Sequence, residues 1–280
     1  MGTEARLLVV TSDPEAGDEA LAHAAEDLET TERALSRFRK DSELSHLNRS
    51  GAAVGSERLL TALRAAIQAY EWSDGLLDPR VILPLERFGY KEGVPEGDVG
   101  EVGLAEPLVP VMDMASWIKG PGRISLPPGV RLDLAGVGKA LGIGWAAARL
   151  VGHAGLLVDV GGDVVALGTD EEGEPWRVTV IHDEDAVGMF AGSPLAIATS
   201  TTKRRAWSAA GREVHHLIDP RTGAPADGEI SSATVAAPTI LEADLAAKLL
   251  IIEGVAALER LDDQYRVVVT NRRVRTEVIC

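Results

Sequence analysis

The sequence predicts an α+β fold, in which helices and strands are mixed along the chain. Stretches with helical spacing of apolar residues and stretches typical of strands follow each other without a strict β-α-β order and without a tandem repeat. No flexible linker divides the 280 residues. A composition with 45% hydrophobic and 25% charged residues is typical of a globular protein. We therefore predict one compact unit spanning residues 1–280.

The charge balance of the chain limits its partners. The formal net charge is −15, which argues against nucleic acid and anionic membranes because both require clustered cations. A small anionic ligand remains compatible where a metal, a Lys, an Arg or a helix N-terminus offsets the local field. The sequence has no run of 18 apolar residues and no signal-like start. We expect a cytoplasmic protein without membrane insertion, and Cys280, the single cysteine, has no intrachain disulfide partner.

Helices are predicted where apolar residues recur on one face. The second helix begins at the N-cap candidate Ser56, and the last opens with the capping box formed by Thr239 and Glu242 and ends at Gly254. The predicted helices span about residues 18–38, 56–72, 139–151 and 240–253.

Strands are predicted for short runs rich in β-branched and aliphatic residues. Residues 39–55 and 91–106 are predicted to be polar, turn-rich or loop segments. The predicted strands span about residues 6–10, 132–134, 156–160, 164–167, 176–181, 195–199, 214–218 and 232–236, with a closing hairpin over 267–270 and 274–279.

A glycine-rich segment, residues 135–140, lies between a predicted strand and a predicted helix. Its accessible backbone N–H groups and the positive end of the helix dipole favour binding of a diphosphate. It is not a Walker loop, because Ala140 follows Lys139, and it lacks the spacing of a dinucleotide fingerprint. A phosphate-binding loop and a simple tight turn both fit this segment.

Two adjacent histidines, His215 and His216, precede a turn over residues 219–223. On a strand their side chains point to opposite faces, so one can enter a cleft while the other stays in solvent. An ordinary strand end followed by a turn explains the same pattern without a function.

The last predicted helix carries Asp244 and Lys248, which are one turn apart and share a face. A carboxylate at this position suits a hard cation. A charge favoured by the helix dipole is the alternative explanation for Asp244.

A hydroxyl-rich run, residues 199–202, ends in the cations of residues 203–205. The hydroxyl and cationic side chains of this run are suited to binding an anion. An exposed strand end is the alternative interpretation. Ser200 does not lie in the elbow sequence of a hydrolase nucleophile.

The order and wording of these motifs resemble one known family. Residues 36–48 are similar to the pattern S-x-Y-x-x-x-S-E-[IL]-S-x-[FL]-N of the ApbE-type flavin-transferase family, the FAD:protein FMN transferases. The resemblance runs in order over nearly the whole chain. Further similar blocks lie at residues 1–3, 74–79, 132–140, 158–163, 197–200, 216–223 and 243–248.

The resemblance implies an α+β fold with one active-site cleft, FAD as donor substrate and Mg²⁺ at the diphosphate. The implied activity is transfer of FMN from FAD to a Thr or Ser hydroxyl of an acceptor flavoprotein, with release of AMP. By position, His216 would activate that hydroxyl, and Gly136, through its carbonyl, and Asp244 would bind the metal. The implied flavin-nucleotide contacts are Met1, Phe38, Leu76, Leu77, Asp78, Asp133, Lys139 and Leu217.

The sequence departs from the family pattern at several positions. Phe38 stands where Tyr is usual, which keeps stacking but removes a hydroxyl. Lys248 stands where the family has Thr, and a protonated Lys cannot bind Mg²⁺. Thr201 and Thr202 follow Ser200 in place of the Gly and Asp that are frequent there.

Two alternatives use the same predicted site. An FAD pyrophosphatase would use water as the nucleophile and release FMN and AMP. A non-catalytic FAD-binding protein would have lost the metal-dependent chemistry, and Lys248 is the residue that favours it.

Overall fold

A seven-stranded antiparallel sheet forms the centre of the fold. The computed structural model describes residues 3–271 and the backbone of residues 276–279. Strands are numbered along the chain, and the sheet order shows that the N-terminal strand forms one edge and the C-terminal strand the other. From edge to edge the strands are β1 (Ala5–Val10), β4 (Gly155–Val160), β5 (Asp163–Gly168), β8 (Leu195–Thr201), β13 (Ile230–Ala236), β14 (Arg266–Asn271) and β15 (Thr276–Ile279).

Helices cover the sheet and extend the core beyond it. In this layer the helix over Ala135–Arg149 packs between the first helix, Pro14–Leu35, and the last helix, Ile240–Glu253. The last helix also packs on β8 and β13. Buried Ala, Val, Leu and Ile dominate these contacts, as the low aromatic content of 4% requires. The helices are α1 (Pro14–Leu35), α2 (Glu43–Ser50), α3 (Glu57–Trp72), α4 (Ile82–Arg87), α5 (Ala135–Arg149) and α6 (Ile240–Glu253).

Short two-stranded sheets surround the central sheet, and two of them contribute to the site described below. Their strands pair antiparallel. The pairs are β2 (Ala52–Val54) with β3 (Arg123–Ser125), β6 (Arg177–His182) with β7 (Asp185–Ala191), β9 (Ala206–Ala209) with β10 (Arg212–His215), and β11 (Ile218–Asp219) with β12 (Ala224–Pro225).

The α+β class is confirmed, and so are most of the predicted elements. Ser56 accepts a hydrogen bond from the Leu59 amide as the N-cap of α3. Thr239 and Glu242 form the predicted capping box of α6, which ends before Gly254. The pairing of β14 with β15 is confirmed as a hairpin, although residues 272–275 of its turn lie outside the described residues.

The prediction of a turn-rich segment over residues 39–55 is wrong, because it contains α2 and β2. Ser42 caps α2 by accepting from the Ser45 amide, and Gly51 ends it with a φ of 72°. Leu44 and Leu47 are fully buried on this helix. Two buried side chains were enough for a short helix, but too few to give a clear helical period in the sequence.

The predicted strand over residues 132–134 is also wrong, since this segment has no strand partner. The side chain of Asn48 replaces a partner. It donates to the Leu132 carbonyl at 2.9 Å and accepts from the Leu132 amide at 2.8 Å. The predicted break at residues 136–138 does not exist either, because these residues form the first turn of α5.

The predicted strand over residues 214–218 is divided. It ends at His215, the last residue of β10, and resumes at Ile218 in β11. The interruption places His216 and Leu217 outside both ladders. Within the described residues, no helix is long and apolar enough to cross a lipid bilayer.

Candidate functional site

A cavity of about 1070 Å³ lies where α5, α6, β8 and the β6–β7 hairpin meet. Its volume is at the upper end of the range for small-molecule sites. Its wall includes the first turn of α5, the turn at Gly161 and Gly162, and the segment 76–79.

The wall of this cavity carries seven cationic side chains beside six carboxylates, whereas the whole chain has a net charge of −15. Several of them are held by carboxylates on neighbouring elements rather than extended into solvent. The cationic residues of the cavity wall are Arg37, Arg39, Lys139, Lys203, Arg204, Arg205 and Lys248. Because the wall is richer in cations than the acidic chain as a whole, the cavity can accept an anionic ligand.

Lys139 and Asp163 form an ion pair beside the cavity. Lys139 lies in the second turn of α5, and its Nζ is 2.5 Å from Oδ2 of Asp163. Asp163 is completely buried at the start of β5, where its Oδ1 accepts from the Thr199 amide at 3.1 Å. Burial, followed by the nearby Asp244 carboxylate, raises the pKa of Asp163, and Lys139 opposes that rise.

Asp244 and Lys248 form a second ion pair on α6. Lys248 Nζ donates to Asp244 Oδ1, which confirms that the two side chains share a face. The second carboxylate oxygen of Asp244, Oδ2, is buried and makes no hydrogen bond. A buried anionic oxygen without a partner is costly, so it is a candidate ligand for a cation.

The two adjacent histidines have different environments. His215 is buried, and its Nε2 lies 2.9 Å from the Ala226 carbonyl while its Nδ1 accepts from the Leu217 amide. The prediction that one of the pair stays in solvent is therefore wrong. His216 is the residue that lines the cavity, and its Nδ1 is buried without a hydrogen bond.

The ionisation of His216 is strongly perturbed. Burial lowers the pKa of His216 to about 3, and the positive charges of Arg205, Lys248 and Lys139 act in the same direction. The imidazole is therefore fully neutral near pH 7, where an ordinary histidine with a pKa near ~6.5 would still be partly protonated. A neutral imidazole is the form that can accept a proton.

Asp133 connects the start of α5 to Arg37, another residue of the cavity wall. Its Oδ1 accepts from the Ala135 amide at the start of α5, and its Oδ2 is 2.8 Å from Nε of Arg37. The Arg37 guanidinium lies 4.1 Å from the centre of the Phe38 ring and 4.9 Å from that of Tyr90. This arrangement orders a half-exposed aromatic ring at the cavity mouth.

Asp78 is engaged by its own neighbour in the chain. Its carboxylate accepts from the Arg80 amide and pairs with the Arg80 guanidinium, with an Nη2 to Oδ2 distance of 2.5 Å. The carboxylate is almost fully buried in this pair. A contact of Asp78 with a ligand would therefore involve its backbone more readily than its side chain.

The described residues that the sequence predicted for the site all line this one cavity. Met1 lies outside the described residues. The predicted residues at the cavity are Phe38, Leu76, Leu77, Asp78, Asp133, Gly136, Lys139, His216, Leu217 and Asp244.

Sequence reasoning missed Asp163, Arg37 and Tyr90 as parts of the site. Asp163 had a detectable signal, because a charged residue at the start of an otherwise apolar strand needs a buried partner. Arg37 and Tyr90 had none, since their proximity depends on the Tyr90 and Lys91 carbonyls accepting from the Arg37 guanidinium across 53 and 54 residues.

Comparisons with known proteins agree in one family. The ApbE family model matches residues 1–269. A Klebsiella pneumoniae protein named FAD:protein FMN transferase is 30% identical over 263 residues, covering 87% of this chain and 74% of that protein. A Salmonella typhimurium protein of the same name is 31% identical over 268 residues, with the same coverage of 87% and 74%.

Solved structures share the fold. The ApbE protein of Thermotoga maritima superposes with a TM-score of 0.81 at 21% identity, covering 99% of this chain and 94% of that one. The flavin transferase ApbE of Vibrio cholerae has a TM-score of 0.76 at 24% identity with the same coverage.

Proposed function

We propose that this chain, which belongs to the ApbE family and is a transferase, moves FMN from FAD to a Thr or Ser hydroxyl of an acceptor flavoprotein. In the proposed reaction the acceptor oxygen attacks the phosphorus on the FMN side of the FAD diphosphate. The bond from that phosphorus to the bridging oxygen breaks, and AMP leaves with the bridging oxygen. The hydroxyl proton passes to a base on the enzyme.

The observation that carries this proposal is a cavity wall on which cationic side chains match the carboxylates, in a chain that is strongly acidic overall. Phosphoryl transfer builds negative charge on phosphoryl oxygens, and positioned cations lower that barrier. Lys139 and the first turn of α5 lie on the cavity wall. A Cβ added to Gly136 would meet no atom within 4 Å, so the backbone there is open to a close ligand.

A divalent cation fits the residues present at one end of the cavity. Asp244 Oδ2 is buried and unpaired, and Gly136, whose carbonyl is the second proposed ligand, lines the same cavity. Among the residues that the structure describes, no group of three or more His, Cys, Asp or Glu could hold a metal. The protein would therefore supply few ligands, and phosphate oxygens would complete the shell, as is usual for Mg²⁺. When bound, Mg²⁺ would offset negative charge on the phosphoryl oxygens.

His216 is the base that the cavity supports best. It is neutral at physiological pH, and its Nδ1 makes no hydrogen bond. The same cations that lower its pKa line the cavity, so an anionic diphosphate beside them would raise the basicity of His216. Binding of FAD would then strengthen the base at the moment when it is needed.

We expect FAD to bind at least about tenfold more tightly than FMN, because Lys139 and the first turn of α5 face a diphosphate that FMN lacks. Calorimetric titration of the same protein preparation with each flavin measures the ratio. ADP serves as the control for the nucleotide half without the flavin ring. Equal affinity for FAD and FMN would contradict the placement of the diphosphate.

Product analysis separates the transferase from its alternatives. The protein is incubated with FAD, Mg²⁺ and an acceptor flavoprotein domain, and free flavins and protein mass are measured together. A flavinylated acceptor with equimolar AMP supports transfer. Free FMN with AMP and an unchanged acceptor indicates a pyrophosphatase, and unconverted FAD indicates a binding protein.

A further inference from the structure

We propose that Lys248 supplies part of the positive charge that a divalent cation would otherwise bring to the FAD diphosphate, so that this protein binds FAD with little dependence on Mg²⁺. The inference rests on the proposed function, since it concerns the same cavity and ligand. It assigns Lys248 as a charge-supplying residue of the site.

The first observation is the position of the Lys248 ammonium. Lys248 lies one turn beyond Asp244 on α6, lines the cavity, and donates through Nζ to Asp244 Oδ1. The side chains are only 16% and 3% exposed, respectively. Lys248 therefore does not extend freely into solvent, and its charge stays at the cavity wall.

The second observation is a neighbouring ion pair, formed by Lys139 and Asp163 beside the pair of Lys248 and Asp244. The Asp244 carboxylate is close enough to Asp163 to raise the pKa of Asp163. Two ammonium groups thus stand beside two carboxylates. These pairs already balance the carboxylates that would attract a divalent cation.

The consequence for metal binding follows from charge. A cation that binds Asp244 Oδ2 shares one carboxylate with the Lys248 ammonium and is repelled by it. The ammonium remains available to the diphosphate whether or not a metal is present. We therefore expect weaker metal binding and stronger metal-independent FAD binding than the same site would show with a neutral residue at position 248.

Calorimetric FAD titrations in EDTA and in excess Mg²⁺ test the inference. In the parent protein, removing Mg²⁺ is expected to weaken FAD binding by less than about threefold. In Lys248→Met and Lys248→Thr, we expect FAD binding in EDTA to weaken by at least about tenfold and to recover with Mg²⁺. Lys248→Arg should behave like the parent protein, because it keeps the charge.

A second readout needs neither flavin nor activity. Without FAD, Mg²⁺ should raise the Tm of Lys248→Met more than that of the parent, because Asp244 then lacks its ammonium partner. Lys203→Met is the matched control, since it removes another cavity-wall lysine that pairs with a different carboxylate, Asp183. It should leave the ratio of FAD affinities with and without Mg²⁺ unchanged.

The outcomes decide between the inference and the proposed function. A parent protein that loses FAD affinity tenfold in EDTA would overturn the inference, and so would equal Mg²⁺ responses of parent and Lys248→Met. These readouts do not require transfer. Normal FAD binding without acceptor labelling would therefore remove the proposed function while leaving the inference supported or overturned on its own measurements.

Discussion

His216→Ala is expected to reduce the rate of FMN transfer by about 10²–10⁴-fold, the usual range for loss of a general base. The expected change in FAD affinity is less than about threefold, because the cations and the α5 turn that are proposed to bind the diphosphate remain. The imidazole lines the cavity with a buried, unpaired Nδ1, so its removal leaves few broken contacts. Single-turnover transfer and calorimetric FAD titration measure the two effects separately.

The pH dependence of the parent protein provides a further test of the same residue. Burial and Arg205, with weaker contributions from Lys248 and Lys139, lower the pKa of His216 to about 3. Since kcat/KM reports the free enzyme, protonation of His216 should not reduce it between about pH 9 and pH 6. A bound diphosphate raises the pKa, so any acid limb in kcat should lie at a higher pH than the limb in kcat/KM.

His182→Ala is the matched control, because His182 lines the same cavity. We expect it to retain the transfer rate within a few-fold. A His216→Ala protein that transfers FMN at the parent rate would remove the assigned role. A loss of FAD binding that parallels the loss of transfer would instead make His216 a binding residue.

Lys139→Met is expected to weaken FAD binding by at least about 100-fold and to destabilise the fold. Asp163 is completely buried, and Lys139 Nζ is its ionic partner at 2.5 Å. Removal of one member of a buried ion pair usually costs about 3–5 kcal/mol, because the other charge stays buried without compensation. Chemical denaturation and calorimetry measure the two losses.

The stability loss should depend on pH. The pKa of Asp163 is raised in the folded protein and rises further without Lys139. The folded state of Lys139→Met therefore binds more protons than the unfolded state, and its stability should improve as pH falls towards the raised pKa. If Lys139→Met loses the same free energy of unfolding at about pH 8 and at about pH 5, this explanation is wrong.

The double variant Lys139→Met/Asp163→Asn separates stability from ligand binding. Asn cannot carry the uncompensated charge and still offers an oxygen to the Thr199 amide, which Asp163 Oδ1 accepts at 3.1 Å. We expect it to recover most of the lost stability but not FAD affinity. Recovery of both would show that Lys139 acts only through Asp163.

Local signals predicted much of the fold and of the cavity. The capping box of Thr239 and the N-cap of Ser56 depend on hydrogen bonds within three residues, so the sequence contains them completely. The positions of His216, Asp244 and Lys139 at one cavity followed from the family resemblance rather than from spacing. Their proximity is a property of the tertiary structure, which local patterns do not encode.

The errors also have physical causes. Leu132 and Leu134 resemble a strand because they alternate and are fully buried. The hydrogen bonds that complete this segment come from Asn48, 84 residues earlier. The sequence predicts no role for Asp163 within the block 158–163, because its partner Lys139 lies on α5 and reaches it only through packing of that helix near the sheet.

Intact-mass measurement of an acceptor flavoprotein after incubation with this protein, FAD and Mg²⁺ tests the central claim most directly. The acceptor should gain the mass of one FMN, with AMP released in equal amount. An acceptor whose modified Thr or Ser is replaced by Ala should gain nothing, and His216→Ala enzyme should label the intact acceptor at a rate reduced by about 10²–10⁴-fold. An unchanged acceptor mass while FAD is bound or hydrolysed would contradict the account.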